Sequence, residues 1–372
     1  MSSISSTSTS SQTFDNEKLQ QFMGKILSDF GGAASAVLVY IGDKLGLYKA
    51  MSDFGKPITS QDLANLTSTS ERYIREWLAN QAAGGYLTYD SASQRYILPF
   101  EHAQVLANEN SPVYAIGGFQ VTMSFYRDAP KFLEVFKTGK GIPWGEHDKD
   151  LFEGTGKFAT LIYTANLVSS WIPALDNGKV EQKLKQGGLK VADIGCGYGT
   201  STILMAKAYP NSKFYGFDNH HASIENARNK AKEEGLDEDR IQFEVASSTN
   251  FLHPQDAEEY DLIAFFDCLH DMEDPEGAAA HALKTLKKPD GTVMIAEPFA
   301  NDKLEDNINP IGRMMYAAST MICIPASLSQ NGPALGAQAG EARISKVVKA
   351  GGFKHFKRAI QTPFNIVYEA KP

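Results

Sequence analysis

The sequence predicts an α/β protein, in which a doubly wound, Rossmann-like sheet of seven strands follows a mostly helical N-terminal domain. From about residue 188 onward, short apolar runs alternate with helical stretches, which is typical of a parallel sheet. The final two strand-like runs are separated only by Gln361 and Thr362, whereas two parallel strands would need a much longer crossover. We therefore expect a parallel sheet whose last strand is antiparallel and lies at the edge.

Apolar runs of strand length mark the individual strands, and the segments between the first five have helical spacing. The seven runs are LKVADI, KFYGFD, IQFEVA, DLIAFF, TVMIAE, FKHFKRAI and FNIVYEA.

The first part of the chain has the pattern of a winged helix. ITSQDLANLT and TSERYIREWLANQAAGG each have a Ser/Thr start and apolar residues at helical spacing. The short strand-like runs GYLTYD and RYILPF follow, separated by the polar turn SASQ. Helix, turn, helix and hairpin in this order predict a winged helix. We expect a disordered tail over residues 1–14, the winged-helix domain over 15–105, a helical connector and substrate lid over 106–185, and the sheet domain over 186–372.

Composition narrows the functional classes. The 372 residues are 42% hydrophobic and 22% charged, as in an ordinary globular protein of two domains. No run of about 18 apolar residues predicts a membrane span, and the Ser/Thr-rich start lacks the features of a secretory signal. Cys196, Cys268 and Cys323 have no metal spacing and are too few for a disulfide framework. We therefore expect a cytoplasmic protein without disulfides or a bound metal.

The charge of the winged helix argues against DNA as its partner. The whole chain has a net charge of −8, and phosphate binding needs clustered Lys and Arg. The second helix carries Glu71 and Glu76 beside Arg72 and Arg75, so it would meet DNA with no net attraction. The apolar segment from Ala33 to Leu47 instead predicts a partner surface, and we expect a homodimer formed through this domain.

A glycine-rich turn after the first strand of the sheet predicts a cofactor site. In VADIGCGYGTSTILMAKAYP, Gly195, Gly197 and Gly199 allow a tight turn and the approach of backbone N–H groups to a ligand. Asp218 ends the second strand, where a carboxylate can accept hydrogen bonds from the hydroxyls of a ribose. The spacing departs from the dinucleotide pattern, because the third glycine comes one residue early. With Asp193 just before the turn, this favours S-adenosylmethionine (SAM), whose ammonium group an acid would stabilise.

These residues resemble the class I SAM-dependent methyltransferases. More narrowly, the chain resembles bacterial small-molecule methyltransferases with an N-terminal winged-helix dimerisation domain, and more distantly the plant O-methyltransferases. The segments that carry the resemblance include VADIGCGYGTSTILMA, FYGFDNHHASIENAR and FFDCLHDMEDP. The resemblance implies a cofactor site made of Asp193, Gly195, Cys196, Gly197, Gly199, Asp218, Asn219, Ser247, Ser248, Phe266 and Asp267. Ser247 and Ser248 depart from the family, which usually has Asp and an apolar residue beside the adenine.

His270 is the residue that we expect to carry the chemistry. LHDMEDP resembles the H-D-W-S-D segment of the plant enzymes, whose histidine accepts the proton of a hydroxyl substrate, with Met272 in place of Trp. A base with a pKa near the working pH suits a hydroxyl acceptor. A positioning or purely structural role stays open for His270. We expect Asp274 and Pro275 only to begin a helix, and Glu297 or Glu341 to orient the imidazole ring.

The acceptor is expected to be a small metabolite, attacked at a hydroxyl or at a thioether or thiol sulfur, and a thioether would need no base. Two segments are expected to form the walls of its pocket, residues 120–165 and 312–338. Two other functions stay open, a SAM-binding transcriptional regulator without turnover and a nicotinamide oxidoreductase. The side chains predicted to contact the acceptor are Tyr126, Trp144, His147, Tyr163 and Tyr316.

Overall fold

The computed structural model describes residues 14–252 and 260–372, and the chain divides into two compact units, residues 1–109 and 110–372. The tail predicted for residues 1–14 lies outside the described residues, except for Phe14.

The N-terminal unit is a winged helix preceded by a long helix, which confirms the predicted motif. Thr59 caps the first helix of the motif by accepting the backbone N–H of Asp62, whose side chain bonds back to Thr59. Trp77 of the second helix packs edge to face on Tyr48 and donates its indole N–H to the Leu38 carbonyl. The elements are α1 Asn16–Lys44, α2 Leu47–Phe54, α3 Ser60–Thr67, α4 Glu71–Ala83, β1 Thr88–Asp90, β2 Arg95–Ile97 and α5 Phe100–Leu106.

The exposed apolar surface of helix α1 extends beyond the predicted partner segment. Within that segment, Ala33 to Leu47, Ala36, Val39 and Leu47 are buried, whereas Ile41 and Leu45 are exposed. Large apolar side chains are also exposed along the preceding turns of the helix. They are Leu19, Phe22, Met23, Leu27 and Phe30, which we call the α1 apolar face.

The C-terminal unit is an α/β sheet domain with helices on both sides. Its helices are α6 Gly117–Thr138, α7 Lys149–Asn166, α8 Ile172–Ala174, α9 Lys179–Gln186, α10 Thr200–Ala208, α11 His221–Glu233, α12 Pro275–Thr285, α13 Pro310–Ala318, α14 Ile324–Ser329 and α15 Gly340–Ala350. Its strands are β3 Lys190–Ile194, β4 Lys213–Asp218, β5 Ile241–Val245, β6 Leu262–Phe266, β7 Thr292–Pro298, β8 His355–Gln361 and β9 Asn365–Lys371.

The sheet has the order β5-β4-β3-β6-β7-β9-β8. Strands β3 to β7 are parallel, and the last strand, β9, is antiparallel to both β7 and β8. The predicted seven-stranded sheet with an antiparallel last strand is confirmed, but β9 lies one position inside the edge, which β8 occupies. The short link between β8 and β9 makes them neighbours, and it leaves open which of the two pairs with β7.

Alternate residues of the strands pack into two hydrophobic clusters, one on each face of the sheet. Along β6, Leu262 and Ala264 belong to one cluster, and Ile263 and Phe265 belong to the other. Such strands, buried on both sides, read as continuous apolar runs. The order in which successive strands are added to the sheet reverses between β3 and β6. Ligands of open α/β sheets bind at the carboxyl ends of the strands beside such a point.

Two helical stretches, Asn16–Lys44 and Lys149–Gln186, are long and apolar enough to cross a membrane by length and composition. The second is broken by a π-helical turn at Leu167–Trp171, and Leu167, Trp171 and Ile172 are fully buried in the core of the sheet domain. The expectation that the chain lacks a membrane span stays a prediction.

Candidate active site

The glycine-rich turn between β3 and α10 needs its glycines for conformation and for space. Gly195, Gly197 and Gly199 have φ values of +71°, +53° and +74°, in the left-handed region. A Cβ atom on Gly195 would lie 2.9 Å from the sulfur of Cys268, and one on Gly199 would lie 2.7 Å from the ring of Phe243. A Cβ atom on Gly197 would meet no atom within 4 Å. The turn is therefore packed on two sides and open at Gly197, where a ligand can approach.

The N–H groups of this turn bind other parts of the protein. The N–H groups of Gly195 and Cys196 donate to the carbonyl of Phe217, at 2.7 and 3.0 Å. The N–H of Gly197 donates to Oδ2 of Asp218 at 2.9 Å. The sequence predicted that these groups would approach a ligand. In the structure they fasten the turn to β4, which places it beside Asp218.

Asp218 lies at the carboxyl end of β4 and lines a cavity. Its Oδ1 accepts the N–H of His220 at 2.8 Å, so each carboxylate oxygen has one backbone donor. A carboxylate oxygen has a second lone pair, which leaves Asp218 able to accept from two further hydroxyl groups. Burial raises the pKa of Asp218, and the two backbone donors act in the opposite direction.

Asp193 is fully buried beneath the turn. The hydroxyls of Ser201 and Thr202 both donate to its Oδ2 at 2.6 Å. Its Oδ1 has no hydrogen-bond partner among the described residues. Burial raises its pKa to about 6. Asp193 does not itself line the cavity, so its unpaired oxygen fits a cationic ligand that it reaches through water, and the ammonium group of SAM is such a cation.

The cavity has a volume of about 250 Å³. Residues from the sheet edge and residues from α7 and α14 line it together. Those that the sequence predicted are Trp144, Tyr163, Gly195, Cys196, Gly197, Asp218, Asn219, Ser247, Ser248, Phe266 and Asp267.

Three residues predicted to contact the acceptor lie away from this cavity. Tyr126 is 44% exposed on α6. His147 is buried, and its Nδ1 lies 3.3 Å from Oδ2 of Asp128. Tyr316 lies on α13 and does not line the cavity. For these residues the prediction rested on residue type within the two expected wall segments, and residue type does not fix the direction in which a side chain points.

One side of α7 lines the cavity, and sequence reasoning singled out only Tyr163 on it. Phe152, Gly156 and Ala159 also line the cavity. Their spacing with Tyr163 follows the helical period, and this spacing is the signal that could have found them. From α14 and the residue after it, Ala326 and Gln330 complete the lining.

Asp267 follows β6 with a φ of +51° and takes part in a buried network. It accepts the hydroxyl of Tyr163 at 3.0 Å and the side-chain amide of Asn365 at 2.8 Å. Burial raises its pKa to about 7, and the nearby carboxylate of Glu297 acts in the same direction. A non-glycine residue in the left-handed region is uncommon, and the two hydrogen bonds hold its side chain.

His270 is buried, with 3% of its surface exposed. Its Nδ1 forms a hydrogen bond with Oε2 of Glu297, and its Nε2 lies 3.2 Å from the sulfur of Cys323. The second oxygen of Glu297 accepts the N–H of Leu269 at 3.1 Å. Burial alone would lower the pKa of His270, but Glu297 and Cys323 raise it well above its usual range.

Two carboxylates were expected to orient the imidazole ring of His270, and only one of them contacts it. Glu297 contacts His270, whereas Glu341 accepts the guanidinium of Arg358 at 2.7 Å, so the prediction for Glu341 is wrong. Asp274 caps α12 by accepting the N–H of Gly277 at 2.8 Å, and Pro275 is the first residue of the helix, as expected.

Comparison with known proteins agrees with this geometry. Residues 185–350 match a family model described as a methyltransferase domain, and residues 33–108 match one described as an Rv2258c-like winged HTH domain. No curated protein matches the chain. Among solved structures, a proposed O-methyltransferase from Nostoc punctiforme is 19% identical over 94% of this chain and 98% of its own, with a TM-score of 0.70.

Two further structures share the fold at low identity. An O-methyltransferase family protein from Burkholderia thailandensis is 15% identical, with a TM-score of 0.69, over 94% of this chain and 97% of its own. Human N-acetylserotonin methyltransferase, solved with SAM, is 17% identical, with the same TM-score and the same coverage.

The fold and the glycine-rich turn with its two acids define a class I methyltransferase domain, and the family match at residues 185–350 agrees. The protein is a SAM-dependent methyltransferase, with its methyltransferase domain at residues 185–350 and a winged-helix domain at residues 33–108.

We expect SAM affinity to rise with pH. Burial raises the pKa of Asp193 to about 6 and that of Asp267 to about 7, so both are largely neutral at pH 5 and ionised at pH 8. A cation favours the ionised forms, and the dissociation constant for SAM should fall about tenfold or more between these pH values. Because both folded pKa values lie above the unfolded value, the free energy of unfolding of the ligand-free protein should fall as pH rises from about 4 to about 7.

Isothermal titration calorimetry at several pH values measures this affinity. S-adenosylhomocysteine, which lacks the sulfonium charge, is the matched ligand and should show a weaker pH dependence. Asp267→Asn should flatten the SAM profile. Both ligands carry the ammonium group that we assign to Asp193, so equal pH dependence for the two would contradict a contribution of Asp267 at the sulfonium.

Proposed function

We propose that the protein transfers the methyl group of SAM to a hydroxyl of a small molecule, and that His270 accepts the hydroxyl proton. The observation that carries this proposal is the buried contact between Glu297 and His270, which directs Nε2 away from the carboxylate. The residues that follow His270, Asp271 and Met272, line the cavity. The structural neighbours described as O-methyltransferases support a hydroxyl acceptor.

SAM supplies an electrophilic methyl group to such a reaction. The residues of the chain have to align the acceptor and remove its proton, because a neutral hydroxyl is a poor nucleophile. The proton of the hydroxyl moves to Nε2 of His270, and Glu297 stabilises the imidazolium that forms. This proton transfer needs a site that excludes water, and His270 and Glu297 are both buried.

Two segments close the cavity over the carboxyl edge of the sheet. Ile142, in the loop before α7, donates its N–H to the carbonyl of Pro325 at 3.0 Å. The loop and α7 contribute Trp144 and Phe152 to the lining, and α14 contributes Ala326. The lining on this side is mainly apolar and aromatic, which supports a small apolar or aromatic acceptor.

A transcriptional regulator is the alternative from another class, and the surface of α4 gives it little support. Arg72 lies 2.5 Å from Glu76, and Arg75 lies 2.8 Å from Glu71. Each arginine of the helix that would enter DNA therefore has a carboxylate partner on the same helix, which offsets its attraction to phosphate.

Replacement of His270 tests the base. His270→Ala should lower kcat about a hundredfold or more, because general base catalysis contributes that much, while SAM affinity stays within about twofold. His270→Gln keeps a polar side chain beside Glu297 and should be equally slow. The exposed His355→Ala is the matched control and should retain the wild-type rate. Methyl transfer to a panel of phenols, alcohols and thioethers, followed by mass spectrometry, measures the rates.

A wild-type rate for both His270 variants would overturn the base role. It would favour the alternative in which a thioether sulfur attacks without losing a proton. Loss of SAM binding together with the rate would instead indicate damage to the fold.

Glu297→Gln should move the pH profile in a defined direction. Glu297 helps to raise the pKa of His270 above its usual range, and only the unprotonated imidazole can accept a proton. The rate in the wild type should therefore rise with pH until His270 is deprotonated. Removal of the carboxylate charge lowers the pKa of His270, so the rising limb should move to lower pH while the maximal rate falls. An unchanged limb would contradict this coupling.

We also propose a homodimer formed through the N-terminal domain. The α1 apolar face has Phe22, Leu27 and Phe30 between 57% and 68% exposed. Apolar surface of this kind on one helix favours a protein partner, and a second copy supplies the same surface.

The double variant Phe22→Glu/Leu27→Glu should be a monomer by light scattering, because it buries two charges at the proposed interface. Tyr73→Glu is the control, since Tyr73 is 79% exposed on α4, outside the α1 apolar face. A dimer that survives the double variant would place the interface elsewhere.

A further inference from the structure

We propose that His270, Asp271 and Cys323 form a binding site for a thiophilic divalent metal ion such as Zn²⁺, and that the bound ion keeps His270 from accepting a proton. The metal site goes beyond the proposed function, because its ligand is neither cofactor nor acceptor, whereas the effect on His270 rests on the proposed function. The sequence predicted no metal, since these residues have no metal spacing along the chain.

The donor atoms of the three side chains converge in the fold. Nε2 of His270 lies 3.2 Å from the sulfur of Cys323. One donor atom from each of the three residues lies within 4.8 Å of the others. In a tetrahedral zinc site, metal bonds of about 2.0 to 2.3 Å place the donor atoms about 3.3 to 3.8 Å apart. The histidine and the cysteine are already near that spacing, and a carboxylate oxygen of Asp271 lies within 4.8 Å of both donor atoms.

The surroundings of His270 resemble those of a metal-binding histidine. Such a histidine usually donates its other ring N–H to a carboxylate, which fixes the tautomer and leaves a lone pair for the metal. Glu297 contacts Nδ1 in this way, and its second oxygen is held by the N–H of Leu269. The free nitrogen, Nε2, is the one that faces Cys323.

Cys323 is positioned beside His270 by a rare backbone conformation. It is the last residue of a π-helical turn, Ser319–Cys323, that joins α13 to α14. Single π-helical turns within helices are rare and occur often at functional sites. The thiol is buried, with 7% of the residue exposed. A metal ion would replace the thiol proton, and the resulting thiolate would be stabilised by the ion.

Asp271 provides the route of entry and the third ligand. It lines the cavity, so an ion can reach the buried pair from there. Three protein ligands of the His, Asp and Cys types leave a fourth position for water, as in zinc sites that are not closed by a fourth side chain. The sulfur and imidazole ligands favour Zn²⁺ and Co²⁺ over Mg²⁺, which prefers oxygen ligands.

Metal binding and proton acceptance exclude each other at this histidine. Both use the lone pair of Nε2, because Nδ1 is engaged by Glu297. A bound ion therefore stops the transfer of the acceptor proton to His270. We expect Zn²⁺ to inhibit methyl transfer reversibly, and a chelator to restore the rate.

Co²⁺ tests the site without any methyl transfer, so the result is independent of the proposed function. The full chain, freed of metal with a chelator, is titrated with Co²⁺ in the absence of SAM. A thiolate–Co²⁺ charge-transfer band in the near ultraviolet should appear at one ion per chain, and Zn²⁺ should abolish it.

Variants then identify the ligands. Cys323→Ser should remove the band and weaken Zn²⁺ binding at least about tenfold, and His270→Ala should do the same. Cys268→Ser is the matched control, because Cys268 donates its thiol to the carbonyl of Ile194 instead of facing His270, and it should keep the band. SAM binding and thermal unfolding of each variant check that it is folded.

The absence of a charge-transfer band in the wild type would overturn the proposal, as would a band that survives in folded Cys323→Ser. The inhibition is then measured with Zn²⁺ in the presence of SAM and an acceptor. Reversible inhibition that Cys323→Ser relieves about tenfold supports the proposal, and a band without any inhibition would overturn its second half.

Discussion

The parallel register between β6 and β7 is the constraint on which the site depends. It pairs Phe266 with Ala296, so the residues just after β6 lie beside Glu297. This register brings together the carboxylate and His270, and it sets the turn that contains Asp267. Backbone hydrogen bonds in the middle of a sheet are buried and hard to replace, so the contact is built on the buried centre of the sheet.

Several buried carboxylates lie at the carboxyl edge of the sheet, around the contact between Glu297 and His270. Asp193, Asp218, Asp267 and Asp271 all have pKa values raised first of all by burial. Such a group of acids is costly to keep ionised without a partner. A cationic ligand provides the missing charge, and for this reason the same edge suits a sulfonium cofactor and, at Asp271, a metal ion.

Much of the fold could be predicted because its signals are local. Strands buried on both faces appear as apolar runs, and the Thr59 and Asp274 caps appear as short polar patterns before helices. The order of β8 and β9 in the sheet could not be predicted, since a hairpin fits in either orientation. Most of the predicted site residues near a strand end line the cavity, although Asp193 and His270 do not. Of the predicted residues in helical or loop segments, Trp144 and Tyr163 line the cavity, whereas Tyr126 and His147 do not.

By itself, the sequence determined the winged helix, the alternating α/β pattern, the glycine-rich turn with Asp218, and the place of His270 after a buried strand, because each depends on residues within a few positions of one another. Which side chains contact one another in the site was decided only by the tertiary structure. Glu297 rather than Glu341 orients His270, Tyr163 binds Asp267, and Cys323 faces Nε2. These contacts join residues 27, 104 and 53 positions apart, and such pairs are set by strand register and helix packing, which no local pattern encodes.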